Sequence, residues 1–268
     1  MRRFAGVTFA LVVLFASGCG SPSSSADPKG QLRLVVFVEA TNDPALNEAI
    51  SQKYLKPVYE RLTSAAKPFG VTIYPISANT GGEAALLRFS HEDEWWNESD
   101  SADLAEAFRQ LRERYAHIYP AGSSYLVDVL GTAVLLDSEV KSNQGQRMEV
   151  LYLSDMIQQD DVHGYDFTEY ARGKSLEQCR NELQEKLGPN LRNRELFRDA
   201  HVHIVYLGLD GMRRGRQGQP ETGPVTRRMD EIKTFWERDF FRGFLGVHDV
   251  RAYPGTVEAA LDSIFSPG

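Results

Sequence analysis

The chain has 268 residues, of which 42% are hydrophobic, and its formal net charge is −7 at pH 7. The length fits one α/β domain once a short N-terminal segment is set aside, and the acidic balance argues against binding nucleic acid through a general basic face. The chain contains two cysteines, Cys19 and Cys179, so modification of the first would exclude a disulfide bond inside the domain. We therefore expect neither a nucleic-acid partner nor a structural disulfide.

The first residues have the layout of a secretory signal. Arg2 and Arg3 precede an apolar run over residues 4–15, and three small residues, 16–18, stand directly before Cys19. A basic start, a short apolar segment and small residues before the cleavage point are typical of such signals. The apolar run is shorter than the roughly 20 residues that span a bilayer. We predict that residues 1–18 are a signal peptide.

The residues before and at the predicted cleavage point, Ala16-Ser17-Gly18-Cys19, resemble the lipobox of bacterial lipoproteins. That family usually has Leu at the position of Ala16. The resemblance implies that Cys19 is lipidated and anchors the protein to a membrane of the bacterial cell envelope. Residues 19–30 are rich in Ser and Pro, which predicts a flexible tether. The alternative is an ordinary signal peptide with an incidental cysteine.

The remaining residues, 31–268, are predicted to form one domain. Apolar blocks typical of buried strands alternate with amphipathic patterns typical of helices. Strands are predicted over residues 32–38, 71–76, 84–90, 149–153, 202–207 and 247–252. Helices are predicted over residues 46–67, 103–115, 125–136, 175–187, 226–241 and 257–265. This alternation predicts an α/β fold with a doubly wound, mainly parallel sheet and helices on both faces.

Side chains with oxygen donors stand at three points of this pattern. Residues 39–43 (Glu-Ala-Thr-Asn-Asp) follow the first predicted strand, residues 122–124 precede a helix, and residues 154–155 follow the fourth strand. Ligands of doubly wound sheets bind outside the carboxyl ends of the strands. Carboxylates and hydroxyls are the donors that Mg²⁺ and Ca²⁺ prefer. We therefore expect these side chains to lie together at one rim of the sheet.

From about residue 31 to residue 265 the chain resembles a von Willebrand factor A-type (vWA) domain. That family has a metal-ion-dependent adhesion site, built from Asp-x-Ser-x-Ser after the first strand, a Thr from a middle loop and a later Asp, often followed by Gly. The positions that the resemblance carries over are Glu39, Thr41, Asp43, Ser123 or Ser124, Asp155 and, at the Gly position, Met156. The motif is divergent, and the ion that it implies is Mg²⁺, or Mn²⁺ or Ca²⁺.

The same residues have a second interpretation that needs no ion. Thr41 and Asp43 precede Pro44 and can cap the helix that begins there. Ser123 or Ser124 can cap the next helix in the same way. The sequence leaves the metal site and the caps open as alternatives.

The resemblance implies a binding module that engages a protein partner of the bacterial envelope. A second hypothesis is a metal-dependent hydrolase that uses the same carboxylates. Such an enzyme needs a general base near the ion, and His163 is the candidate nearest in sequence. A third hypothesis is an ion-free structural scaffold.

Three further features have plainer interpretations. Residues 160–163 (Asp-Asp-Val-His) carry metal-capable side chains but are expected to form a solvated loop. His201 and His203 share one face of a strand and are expected to be a satisfied pair rather than metal ligands. The basic residues of 211–219 are expected in a solvated loop at the ligand-bearing rim, where they could also contact an anionic partner.

Overall fold

The computed structural model describes residues 31–65, 68–92, 96–119, 126–167, 176–207 and 224–266. The predicted signal peptide, the tether and Cys19 lie outside these ranges, as do Ser123, Ser124 and the basic residues 211–219. The described chain contains helices on both sides of one central sheet. Among the described residues, no helix is both long and apolar enough to cross a membrane.

The described strands form a six-stranded sheet in the order β3-β2-β1-β4-β5-β6. The strands are β1 (Leu32–Glu39), β2 (Phe69–Ile76), β3 (Leu87–His91), β4 (Arg147–Ser154), β5 (His201–Tyr206) and β6 (Asp249–Pro254). All neighbours pair in parallel except β2 and β3, which are antiparallel. The predicted mainly parallel sheet is therefore confirmed.

The central strands are apolar on successive residues because both of their faces are covered. In β1, Val35 and Phe37 pack into the core on one face of the sheet. Leu34, Val36 and Val38 pack into the core on the opposite face. Strands that are buried on both faces have near-continuous apolar runs instead of alternating ones, which is why the sequence identifies β1 and β4 clearly.

The helices divide between the two faces. They are α1 (Pro44–Ile50), α2 (Lys56–Thr63), α3 (Glu98–Ala116), α4 (Thr132–Ser142), α5 (Leu176–Lys186), α6 (Pro224–Thr234) and α7 (Val257–Phe265). Buried residues of α1, α2, α3 and α7 belong to the core on one face, and those of α4, α5 and α6 to the core on the other. The doubly wound arrangement that the sequence predicts is confirmed.

Two long helices contain π-helical turns. Ser51–Leu55 joins α1 to α2 in such a turn, and Phe235–Leu245 continues α6. The second segment ends at Gly246, whose φ of 81° is the left-handed conformation that commonly ends helices. Pro57 is the second residue of α2, which directly follows the first π-helical turn.

One predicted helix is partly wrong. The helix predicted over residues 125–136 begins only at Thr132. The residues before it form a loop in which Val127 pairs with Gln159 in an isolated antiparallel bridge. The apolar spacing resembles that of a helix because Val127 and Val129 are buried in the same core as α4. This loop brings Asp128 to the carboxyl end of the sheet, where its amide donates to Ser77 O.

Candidate functional site

The topology places a switch point between the carboxyl ends of β1 and β4. These strands are neighbours in the sheet. The chain continues from β1 to β2 on one side of the pair, and from β4 to β5 on the other side. The crossover helices α1 and α2 lie on one face of the sheet and α5 lies on the other. Such a switch point is where doubly wound sheets bind their ligands. We call the edge formed by residues 40–43, 77–83 and 155–163 the carboxyl rim.

Two buried acidic residues are hydrogen-bonded to each other at this switch point. Glu39 ends β1 and Asp155 follows β4, and both are completely buried. The Oε2 atom of Glu39 accepts hydrogen bonds from Ser154 Oγ at 2.7 Å and from the Asp155 amide at 2.9 Å. Asp155 Oδ1 accepts one from the Ile157 amide at 2.9 Å. The structure thus brings two predicted site residues together and adds Ser154 as the group that links them.

The turn after β4 has an unusual backbone. Met156 has a φ of 62°, and it is the only non-glycine residue in the described ranges with a positive φ. This conformation costs a side-chain-bearing residue about 1–2 kcal/mol. It is held by the Met156 amide, which donates to Ser154 Oγ at 2.8 Å, and by Trp236 Nε1, which donates to Met156 O at 2.6 Å. The vWA resemblance places glycine at this position, and glycine adopts this conformation without strain.

Thr41 and Asp43 form the start of α1. Asp43 is exposed, and its Oδ1 accepts a hydrogen bond from the Ala45 amide at 2.9 Å. The hydroxyl of Thr41 donates to Asp43 O at 3.1 Å. Buried Asn47 fixes the loop, since its Oδ1 accepts from the Thr41 amide at 2.7 Å and its Nδ2 donates to Thr41 O at 2.8 Å. Asn47 was not predicted as a site residue, because its burial becomes visible only in the structure.

This cap has a measurable consequence for stability. Asp43→Ala is expected to lower the free energy of unfolding by about 0.5–2 kcal/mol, because the first turn of α1 loses its side-chain acceptor. The free energy of unfolding of Asp43→Asn should be close to that of the unchanged protein, because Asn caps a helix as well as Asp does. Urea unfolding with and without millimolar Mg²⁺ measures both variants. A loss on Asp43→Ala that appears only when Mg²⁺ is present would contradict the capping role.

The rim is electrostatically negative. Tyr119 lies between several acidic groups, and its hydroxyl donates to Leu126 O. Burial raises the pKa of Tyr119, and the charges of Glu39, Glu83 and Asp128 raise it further. Acidic side chains from several loops therefore lie at the carboxyl rim.

Residues 160–163 were expected to form a solvated loop, and this expectation is wrong for two of them. Asp160 is buried and His163 is mostly buried, whereas Asp161 and Val162 are exposed. The loop turns back because Asp160 Oδ1 accepts a hydrogen bond from the His163 amide, and Gly164 follows with a φ of 72°. His163 is thereby directed at the rim instead of at solvent.

His163 lies between two carboxylates on different loops. Its Nδ1 is 3.1 Å from Asp128 Oδ1 and 3.3 Å from Asp160 Oδ1. Burial lowers the pKa of His163, but the two neighbouring carboxylates outweigh burial and raise it to about 9. In the absence of another cation the imidazole is therefore protonated at neutral pH. A protonated imidazole cannot accept a proton, so His163 does not suit the role of general base.

The other histidine pair lies away from the rim and is satisfied, as predicted. His203 is buried, with Nε2 2.7 Å from Glu149 Oε2 and Nδ1 3.1 Å from the Tyr253 hydroxyl. His201 Nδ1 is 3.2 Å from Asp249 Oδ2. Both histidines belong to β5, which starts at His201, so they stand toward the amino end of the sheet. This pair connects β4, β5 and β6 and serves the fold.

Comparison with known proteins gives weak similarities only. No family model matches the chain, and no curated protein matches it. Among solved structures, it is similar to BatB from Bacteroides thetaiotaomicron, with 10% identity, a TM-score of 0.43, and coverage of 87% of this chain and 95% of that chain. It is also similar to the pilus adhesin SpaC from Lactobacillus rhamnosus GG, with 9% identity, a TM-score of 0.47, and coverage of 88% and 30%.

A third similar structure is that of the manganese-loaded TRAP protein from Plasmodium vivax. It has 11% identity, a TM-score of 0.38, and coverage of 90% of this chain and 73% of that chain. At these identities and TM-scores none of the three carries an argument about site or function. The α/β architecture rests on the sheet order and helix placement of the chain itself.

Proposed function

We propose that this chain is a vWA-like binding module that engages a protein partner of the bacterial envelope at its carboxyl rim. The observation that carries the proposal is the meeting of Glu39 and Asp155, from two adjacent strands, at the switch point of the sheet. Ligands bind at this point in doubly wound folds. The left-handed turn at Met156 further supports the vWA resemblance, because it stands where that family has glycine.

The proposed partner contact does not depend on an ion at Glu39 and Asp155. The oxygen donors of Glu39, Thr41, Asp43 and Asp155 are of the type that Mg²⁺ prefers. However, Glu39, Asp43 and Asp155 each accept a hydrogen bond from the protein, and the Thr41 hydroxyl donates to Asp43 O. An ionised carboxylate has about four acceptor positions, so these hydrogen bonds are compatible with a bound ion as well. Because Ser123 and Ser124 lie outside the described residues, the predicted role of the whole set in binding Mg²⁺, Mn²⁺ or Ca²⁺ stays a prediction.

Thermal melting tests that ion prediction. An ion that binds only the folded protein raises its melting temperature by mass action. A rise in millimolar Mg²⁺ that Asp155→Ala abolishes would assign the ion to the switch point. An unchanged melting temperature would leave the rim as an ion-free surface.

The hydrolase hypothesis receives less support from the same geometry. Its candidate base was His163, which is held between Asp128 and Asp160 with a raised pKa of about 9. A general base works best with a pKa near the operating pH. The scaffold hypothesis requires no partner at the rim, whereas the binding-module hypothesis does. Capture of a partner therefore distinguishes the two hypotheses.

The partner test uses two exposed positions at opposite ends of the sheet. Val162 is 56% exposed on the carboxyl rim, and Gln144 is exposed in the turn before β4 at the amino end. Affinity capture of the lipidated protein from its own membranes should recover a partner. Val162→Asp should reduce that recovery about fivefold or more, the loss that corresponds to an interface change of about 1 kcal/mol. Gln144→Asp is the matched control and should leave recovery unchanged.

We further propose that residues 1–18 are removed, that Cys19 is lipidated and that residues 19–30 tether the module to the membrane. Several acyl chains attach a protein durably to a membrane, whereas a single chain binds only weakly and reversibly. Cys19→Ala should move the protein from the membrane fraction to the soluble fraction or block its maturation. Mass spectrometry of the mature N-terminus measures the lipid adduct, and an unmodified Cys19 in mature protein would end this proposal.

A further inference from the structure

We propose that Asp128, Asp160 and His163 form a binding site for a divalent transition-metal ion of the zinc class. They are the one group of three metal-capable side chains found among the described residues, with one ligand atom from each lying within 4.8 Å of the others. The site includes neither Glu39 nor Asp155, and it does not rest on the proposed partner binding.

The distances between the ligand atoms match a coordination sphere. His163 Nδ1 is 3.1 Å from one carboxylate oxygen and 3.3 Å from the other. Ligands that bind zinc at about 2.0–2.2 Å, with angles between octahedral and tetrahedral, are separated by about 3.0–3.4 Å. The two distances from His163 therefore match such a coordination sphere, and one ligand atom of each residue lies within 4.8 Å of the others.

The cluster contains buried polar atoms without hydrogen-bond partners, and a bound ion would supply a partner. His163 Nδ1 and Asp128 Oδ2 are buried and make no hydrogen bond. Nδ1 forms ion pairs with both carboxylates, at 3.1 Å and 3.3 Å, whereas Asp128 Oδ2 makes no hydrogen bond. Asp128 is only 1% exposed. Buried polar atoms are rarely left without partners, and a bound ion is one explanation for such an exception.

The surrounding residues hold the two carboxylates in place. Asp128 Oδ1 accepts hydrogen bonds from the Gly131 amide at 2.9 Å and from Gln158 Nε2 at 3.3 Å. Gln158 Nε2 also donates to Asp160 Oδ2, so one side chain orients both ligands. A Cβ atom at position 131 would overlap the Asp128 carboxylate, so the glycine there is required. Groups that orient the ligands in this way are usual around metal sites.

The donor set selects the class of ion. One imidazole and two carboxylates suit zinc and similar transition metals, whereas Mg²⁺ and Ca²⁺ prefer sites made of oxygen alone. Three protein ligands leave a fourth position for water or for an oxygen atom of a partner. His163 is 12% exposed, and its loop carries exposed Asp161 and Val162, so an ion has a route from solvent.

Isothermal titration of Zn²⁺ into the full-length protein, purified in detergent and stripped with a chelator, tests the proposal. The expected result is one ion per chain. His163→Gln and Asp160→Asn should each weaken binding by at least about tenfold. Titration with Co²⁺ should add visible absorption bands that the same variants lose. Circular dichroism confirms that each variant is folded.

His201→Gln is the matched control, because His201 also lies beside carboxylates but belongs to the structural pair on β5. It should bind Zn²⁺ as the unchanged protein does. Folded protein that takes up no Zn²⁺ would overturn the proposal and leave His163 as a protonated partner of two carboxylates. Binding that survives His163→Gln and is lost in His201→Gln would also overturn it.

Discussion

Replacing Glu139 by alanine is expected to lower the free energy of unfolding by about 3–5 kcal/mol. Glu139 stands on α4, and its buried carboxylate receives Arg33 at 3.0 Å, Arg88 at 2.8 Å and the Tyr74 hydroxyl at 2.7 Å. The Arg33 side chain is only 10% exposed. Without Glu139, a positive charge stays buried beside β1 and β2 with no counter-charge. The same change removes the ion pairs that link α4 to β1 and β3.

Urea unfolding followed by circular dichroism measures this loss. Glu106→Ala is the control, since Glu106 pairs with Arg109 on the exposed surface of α3 and should change stability little. The double variant Arg33→Met/Glu139→Leu should recover most of the stability, because it removes both buried charges. A loss on Glu139→Ala no larger than that on Glu106→Ala would contradict this account of the network.

The same network gives a pH dependence with a definite sign. Burial raises the pKa of Glu139, but the Tyr74 hydroxyl and the Arg33 and Arg88 charges outweigh burial and lower it below the ordinary value of 4.5. A lowered pKa in the folded state means that the carboxylate stabilises the fold above the ordinary pKa. The contribution is lost as the pH falls through the folded-state pKa. The stability difference between the unchanged protein and Glu139→Ala should therefore narrow below pH 4.5.

Trp236→Ala is expected to cost about 3–5 kcal/mol, the range for removing a buried aromatic side chain. Trp236 is completely buried, and its ring centroid lies 4.9 Å from that of Phe235 and 5.0 Å from that of Phe240. It also donates the hydrogen bond to Met156 O that helps hold the strained turn after β4. The loss should therefore affect both the core and the switch point.

Trp236→Phe separates these two effects. It keeps most of the packing and removes the donor to the Met156 carbonyl, which should cost about 1–3 kcal/mol. Urea unfolding measures the total loss of stability, and amide hydrogen exchange of Asp155 and Ile157 measures the local stability of the turn after β4. If Trp236→Phe is as stable as the unchanged protein and the exchange of both amides is unaltered, the hydrogen bond does not hold the turn.

The sheet was predictable because its central strands are apolar on successive residues. Predicted strands 32–38 and 149–153 fall inside β1 (Leu32–Glu39) and β4 (Arg147–Ser154). The start of α4 was not predictable from periodicity, because buried Val127 and Val129 in a loop imitate the apolar face of a helix. Local spacing does not reveal that Val127 pairs with Gln159 across the fold.

The candidate site was predictable in part. The strand ends indicated Glu39 and Asp155, and capping chemistry indicated the role of Asp43 at α1. The grouping of His163 with Asp128 and Asp160 was missed, because Asp128 comes from a separate loop and residues 160–163 look solvated in sequence. Burial of charged residues through contacts between distant loops depends on the tertiary fold, which no local pattern encodes.

Amide hydrogen exchange of the protein with its captured partner shows whether the partner binds at the carboxyl rim. Exchange slows where a partner covers the backbone or stabilises local structure. We expect slower exchange in residues 40–43, 77–83 and 155–163, with unchanged exchange in residues 143–146 at the amino end of the sheet. Protection of residues 143–146, with the rim exchanging as it does in the free protein, would rule out partner binding at the rim.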